Sequence, residues 1–283
     1  MQILKLDGLC KQYPAFRLEN VSFSMEAGTI MGLIGRNGAG KTTTLKSMLH
    51  LVHPDAGTVT ICGLDMDKDE REIRSRIGFV SGGASYYQRK RLRELTDVTK
   101  RFYPGWDDGR YARLVRQFSL DESKRVCELS EGMKVKYQLA AAMSHRAELL
   151  ILDEPTSGLD PVSRDELLDT FRTLCEQEGV SILFSTHITS DLEACADTIT
   201  YIQHGRVAAS TDKKTWTWGY LLLQGSDAAC TPALRAACIG ARSHKGELEA
   251  LLRKEDAALA AGFALTPANL EQIMVHLERE AEA

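Results

Sequence analysis

Through about residue 203, short apolar and β-branched runs alternate with longer stretches of helical periodicity. Ile30-Met31-Gly32-Leu33-Ile34 reads as a buried strand, and residues 42–51 read as the helix after it. Residues 59–62 and 77–80 read as two more strands. Leu149-Leu150-Ile151-Leu152 is wholly apolar and reads as a strand, followed by a helix over about 161–177. Pro161 opens that helix, where its missing N–H leaves no bond unmade. Residues 181–185 read as a strand. Residues 199–202 and 207–209, separated by His204-Gly205, read as a hairpin. Strands alternating with helices predict an α/β fold with a mostly parallel sheet flanked by helices. The early and late hairpins suggest an added antiparallel sheet. After Lys214 the chain turns alanine-rich, carries scattered glycines and loses strong periodicity, until Leu270, Ile273, Met274 and Leu277 recur at helical spacing over 270–280. Residues 1–214 therefore read as the main domain and 215–283 as a small C-terminal appendage.

The chain has 283 residues, 43% hydrophobic and 26% charged, which supplies ample core for folding and argues against disorder. Its formal net charge of -4 argues against a general nucleic-acid binder. No run of about 18 apolar residues occurs, so no segment is expected to span a bilayer. Met1-Gln2-Ile3-Leu4-Lys5-Leu6-Asp7 lacks the basic-then-apolar layout of a secretory leader. The seven cysteines are scattered and include no C-x-x-C pair, so small buried thiols in a reducing cytosol are expected rather than disulfides or zinc.

The sharpest chemical signal is Gly35-Arg36-Asn37-Gly38-Ala39-Gly40-Lys41-Thr42, a complete G-x-x-x-x-G-K-[ST] between a predicted strand and a predicted helix. Such a P-loop curls so that successive N–H groups face phosphate oxygens, and the helix start adds positive potential. Lys41 would place an ammonium on the β- and γ-phosphates of ATP, and the Thr42 hydroxyl, beside Thr43, would coordinate Mg²⁺. The apolar strand ending in Asp153-Glu154 supplies the acids. Asp153 is the natural metal-side carboxylate, and Glu154 can take a proton from an attacking water.

Taken together, the P-loop, Leu129-Ser130-Glu131-Gly132-Met133, Asp153-Glu154, Ser157-Gly158-Leu159-Asp160 and His187 resemble the ATP-binding cassette (ABC) ATPases in order and spacing over residues 1 to about 210. Phe102-Tyr103-Pro104-Gly105-Trp106-Asp107 and the ending Asn269-Leu270-Glu271-Gln272-Ile273 are similar to the bacterial branch that energises small export-type permeases. The resemblance implies a helical subdomain over about 84–145 and a head-to-tail dimer, homomeric or with a sister ATPase. In it Ser130 and Gly132 address the γ-phosphate held by the partner, and Asp160 couples the two sites. From residue chemistry alone, Ser130 and Asp160 are equally N-caps of the helices that follow them. The resemblance further gives His187 a γ-phosphate contact and makes Tyr13 the aromatic against adenine.

One departure stands out. Where the family has Gln or an acidic residue after the strand at 77–80, this chain has Ser81-Gly82-Gly83-Ala84. The basic run Arg89-Lys90-Arg91-Leu92-Arg93 that follows reads as a solvated face or as a surface docking to acidic permease loops or lipid headgroups. The function expected is an ATPase subunit, cytoplasmic and held on the inner face of the membrane by an integral-membrane permease. The alternatives are a soluble ABC ATPase of translation or repair and an ATP-sensing module with little hydrolysis.

Overall fold

The structure, a computed structural model, describes residues 1–81 and 87–282. The expectations attached to Gly82, Gly83 and Ala84, including the first residues of the helical subdomain, lie outside the described residues. The chain divides into two compact units, Met1–Ser210 and Thr211–Ala283.

In chain order the first unit comprises β1 (Gln2–Tyr13), β2 (Phe16–Glu26), β3 (Ile30–Ile34), α1 (Lys41–Met48), β4 (Ala56–Ile61), β5 (Leu64–Asp65), α2 (Glu70–Arg76) and β6 (Ile77–Ser81). It continues with α3 (Leu92–Thr99), α4 (Asp108–Gln117), α5 (Glu131–Ser144), β7 (Leu149–Asp153), α6 (Pro161–Glu178), β8 (Ser181–Thr186), α7 (Thr189–Cys195), β9 (Thr198–Gln203) and β10 (Arg206–Asp212).

Six strands form the main sheet in the order β10-β9-β3-β8-β7-β6. The pairings from β9 through β3, β8 and β7 to β6 are all parallel. Every residue of β3, β7 and β8 is buried. Strands covered on both faces favour near-continuous apolar runs, as in Leu149–Leu152 of β7 and Ile182–Phe184 of β8, with buried polar residues confined to the strand ends. A second, antiparallel sheet has the order β2-β1-β4-β5. Helix α1 packs against β1 and β7. Its Leu45 and Met48 are fully buried in one core with Leu6, Leu18, Leu33 and Ile151, so the helix that follows the P-loop is anchored from both sheets. Fully burying each such side chain is worth about 1.5–3 kcal/mol.

The α/β class is as expected, but three details differ. The late hairpin does not belong to the antiparallel sheet: β9 pairs in parallel with β3, and β10 extends the main sheet beyond it. Only the long N-terminal strands β1 and β2, with β4 and β5, build the added sheet. Helix α1 ends at Met48, although apolar Leu49 and Leu51 continue its pattern. His50 turns left-handed at φ 51°, and Leu51 N–H closes back onto Lys46 C=O at 2.9 Å. The strand at 59–62 begins at Ala56 and stops at Ile61, because Cys62 enters a turn at φ 53°.

The second unit holds α8 (Lys213–Trp218), β11 (Tyr220–Ser226), α9 (Pro232–Ala237), β12 (Ile239–His244), β13 (Glu247–Arg253), β14 (Ala264–Pro267) and α10 (Leu270–Glu282). Its strands form an antiparallel sheet, β12-β13-β11-β14. The helix expected over 270–280 is α10, which packs on β12 and β13 with Leu270 and Ile273 fully buried.

Gly205, at the β9–β10 turn, touches the β1–β2 hairpin. Its φ is 78°, and an added Cβ would lie 1.9 Å from the Arg17 carbonyl oxygen. Gly205→Ala should therefore lower the unfolding free energy by roughly 2–4 kcal/mol, through strain plus a backbone clash. Urea titration of the full chain checks this, and a loss below about 0.5 kcal/mol would contradict the packing.

Candidate functional site

Strand register brings the candidate residues to one edge. Ile34, which leads into the P-loop, pairs with Thr186, and Asp153 pairs with Ser185. The carboxyl ends of β3, β7 and β8 are thus level, and Gly35, Asp153, Glu154 and His187 all leave the sheet at the same end. Open parallel sheets build their binding crevices there.

The loop from Gly35 to Gly40 delivers the chain into α1 through Gly40, whose φ of 117° is reached at little cost only by glycine. The first N–H groups of α1 have no intrahelical partner and point out of the helix start. No acidic side chain occupies that first turn, so the positive end of the helix is left for an external anion.

Lys41 folds back into its own loop. It is 5% exposed, and its Nζ donates to Gly35 C=O at 2.8 Å and Arg36 C=O at 3.3 Å. The same ammonium pairs with Glu154 Oε1 at 3.1 Å. The second oxygen, Glu154 Oε2, meets His187 Nδ1 at 2.8 Å. Thr42 Oγ1 donates to Asp153 Oδ1 at 3.1 Å, and the buried Ser185 hydroxyl donates to the same oxygen at 2.7 Å. Ser185 Oγ also accepts the Glu154 N–H at 2.9 Å. Glu154 sits at φ 49°, a left-handed conformation that costs a non-glycine residue about 1–2 kcal/mol. The turn it makes swings the carboxylate away from the strand axis and over Lys41.

These groups border a cavity of about 660 Å³. Asn37, Gly38, Gly40, Lys41, Thr42, Thr43, Glu154 and His187 line it from the sheet side, and Tyr13 from the tip of the β1–β2 hairpin. Gly35 and Arg36 act through their carbonyls on Lys41, Ala39 is buried beneath the loop, and Asp153 lies behind Thr42. Ala15, Phe16 and Ser157 also line the cavity and were not anticipated. Phe16 pairs with Tyr13 across the Pro14-Ala15 turn, so a proline turn between two aromatics was the signal available for it. Ser185 had none, since a serine ending a strand is ordinary until its neighbour in the sheet is known.

Ser130, Gly132 and Asp160 do not border this cavity. Ser130 caps α5, accepting Met133 N–H at 3.3 Å. Asp160 caps α6, accepting the N–H groups of Val162 and Ser163, each at 3.0 Å. The Ser163 hydroxyl and then its N–H hold the Asp160 carboxyl below the usual carboxylate range. Gly132 lies beside Leu159 and Ser163, so the signature segment and the Asp160 segment share one neighbourhood.

Among the described residues no three His, Cys, Asp or Glu side chains cluster as a self-sufficient metal site. The chemistry of Thr42 and Asp153 fits a magnesium ion that takes one hydroxyl and one carboxylate from the protein, with phosphate and water oxygens completing its shell.

A parallel sheet with a curled glycine loop, a buried lysine and an acid pair at its carboxyl edge defines a P-loop nucleotide-binding protein. The sequence profile of the family described as ABC transporter matches residues 18–157. The ATP-binding protein YtrB of an ABC transporter in Bacillus subtilis is 30% identical over 207 residues, covering 73% of this chain and 70% of that protein. The bacitracin transport ATP-binding protein BcrA of Enterococcus faecalis is 32% identical over 208 residues, covering 72% and 68%. The Nod factor export ATP-binding protein I of Burkholderia lata is 38% identical over 197 residues, covering 68% of this chain and 64% of its own length. The aligned region thus spans just under two thirds of the Nod factor relatives. A solved ATP-binding subunit of an ABC transporter superposes with a TM-score of 0.67 at 30% identity, covering 75% of this chain and 91% of that one. The chain belongs to the family of ABC transporter ATP-binding proteins, which bind ATP.

The buried Lys41 ammonium should dominate nucleotide affinity. Lys41→Ala is expected to weaken Mg-ATP binding by about tenfold or more, the loss of a charge-assisted contact to phosphate. Isothermal calorimetry on the purified chain measures this directly, and an unchanged dissociation constant would remove Lys41 from the phosphate site.

Proposed function

We propose that this chain is the ATP-hydrolysing subunit of an ABC transporter and powers a separate membrane permease in the export direction. The observation that carries the reading is the convergence of Lys41, Thr42, Asp153, Glu154 and His187 through hydrogen bonds and one ion pair at a single cavity edge.

The adenine lies against Tyr13, and the phosphates lie along the loop from Asn37 to Thr43. Thr42 and Asp153 would hold Mg²⁺, which when bound would supply positive charge to offset that of the phosphates. A γ-phosphate reaching Lys41 exchanges with the Glu154 carboxylate, so the buried ammonium keeps an anion throughout. Glu154, released toward the cavity, takes the proton of the attacking water, while His187 holds its other oxygen and faces the γ-phosphate.

A second copy or a sister ATPase completes the site. Ser130, Gly132 and the start of the 14-residue α5 lie off the chain's own cavity, capped and available to a nucleotide held opposite. ATP then bridges the two chains, and hydrolysis removes the bridge. Asp160, sharing the neighbourhood of Gly132, is placed to relay that closure.

Docking to the permease is assigned to the helical subdomain. Tyr87, Val98 and Phe102 are 71%, 53% and 75% exposed there, large apolar side chains that a partner would cover. An apolar cavity of about 640 Å³ between α3 and α5, lined in part by Leu95, Val98 and Leu129, adjoins the basic run from Arg89 to Arg93. No helix among the described residues is long and apolar enough to cross a membrane; a separate permease is proposed to hold this chain at the cytoplasmic face. The export role named for the Burkholderia relatives supports the direction. Residues 215–283 are proposed as an accessory domain.

Glu154→Gln should bind Mg-ATP with undiminished affinity, turn it over at about a hundredth of the wild-type rate or less, and dimerise more stably with ATP. Phosphate release and light scattering check this, and wild-type turnover would strip Glu154 of its role.

A further inference from the structure

We infer that Asp191, on α7, is a positioning residue that locks the His187 turn, the segment after Glu154 and the start of α6 into one register. Its kinetic consequence rests on the ATPase reading above. Asp191 is fully buried, yet its carboxylate is satisfied by donors from three different segments. Oδ2 accepts from Thr156 Oγ1 at 2.7 Å and from Thr186 Oγ1 at 3.1 Å. Oδ1 pairs with Arg164 Nε, and Arg164 Nη2 donates onward to Ser190 Oγ at 2.6 Å.

The sequence positions of these donors give the cluster its meaning. Thr156 stands two residues after Glu154. Thr186 stands immediately before His187, and its hydroxyl also accepts Ile188 N–H at 3.0 Å on the far side of the histidine. Arg164 lies in the first turn of α6, its N–H bonded to Asp160 C=O at 3.0 Å. One carboxylate therefore touches the backbone neighbourhoods of Glu154, His187 and Asp160 while contacting none of those side chains.

A buried carboxylate that loses its cation or its hydroxyl donors costs several kcal/mol. Each segment is thereby held by the penalty of leaving Asp191 unsatisfied. A shift of Asp160 passes through α6 and Arg164 to the other two segments, so the groups around the γ-phosphate are set together. Thr156 and Thr186 are nearly or fully buried and do not border the cavity, which separates this cluster from the groups that touch nucleotide.

Asp191→Asn preserves volume but cannot pair with Arg164 while accepting both hydroxyls. It should lower kcat by about tenfold or more, with KM for ATP and the Mg-ATP dissociation constant within about threefold of wild type. Thr156→Val and Thr186→Val each remove one hydroxyl at nearly constant shape. Each should reduce kcat severalfold, and neither should add fully to Asp191→Asn. Amide hydrogen exchange gives a reading independent of turnover: in Asp191→Asn, segments 154–160 and 186–191 should both exchange faster, whereas Thr170→Val on α6 should change neither. A soluble Asp191→Asn with wild-type kcat, or with faster exchange confined to α7, overturns the inference. If the wild-type chain hydrolyses no ATP, the proposed function fails, and hydrogen exchange still decides whether Asp191 joins the three segments.

Discussion

An ammonium taken out of water must be met by oxygens, and Lys41 is the ammonium on which this structure turns. At 5% exposure it is held by two carbonyls of its own loop and by the Glu154 carboxylate. The carbonyls reach it only because the loop curls into the start of α1 through a left-handed Gly40. Glu154 reaches it only because β7 ends level with β3 and the chain then turns back at a strained residue. Strand register, loop curvature and one unfavourable backbone angle are thus all answers to where this charge finds its partners.

Around that pair the polar side chains form a connected set rather than a list of neighbours. Ser185 joins Asp153 to the Glu154 N–H, Thr42 joins Asp153 to α1, and His187 joins Glu154 to the end of β8. Buried polar groups of this kind specify geometry, because each bond that breaks strands another group away from water. The strained Glu154 angle is maintained by such bonds. They hold the carboxylate between Lys41 and His187.

The same physics explains why the chain separates its candidate residues into two groups. A helix start offers unpaired donors in only one direction. That of α1 faces the cavity; that of α5 does not border it. Under the proposed function these two surfaces are the holder and the clamp of a nucleotide, which two chains related head to tail would bring together.

Much of this was legible beforehand. The G-x-x-x-x-G-K-[ST] pattern, the apolar strand before Asp153-Glu154 and the capping serine and aspartate are local features, fixed by glycine's freedom, two-sided burial and helix-end hydrogen bonding. Three short-range rules named Lys41, Thr42, Asp153, Glu154, Ser130 and Asp160. The destination of the late hairpin, the four-stranded sheet of the second unit and the roles of Ser185 and Asp191 were not legible, because each depends on which segment lies beside which. The apolar run Ala250-Leu251-Leu252 of β13, for example, says that the strand is buried without saying against what. Sequence determined the chemistry this protein carries, because chemistry resides in side chains. Tertiary structure decided which of those side chains share a charge, because only the folded chain sets Glu154, at the end of β7, against Lys41 after β3, and Asp191 against Arg164.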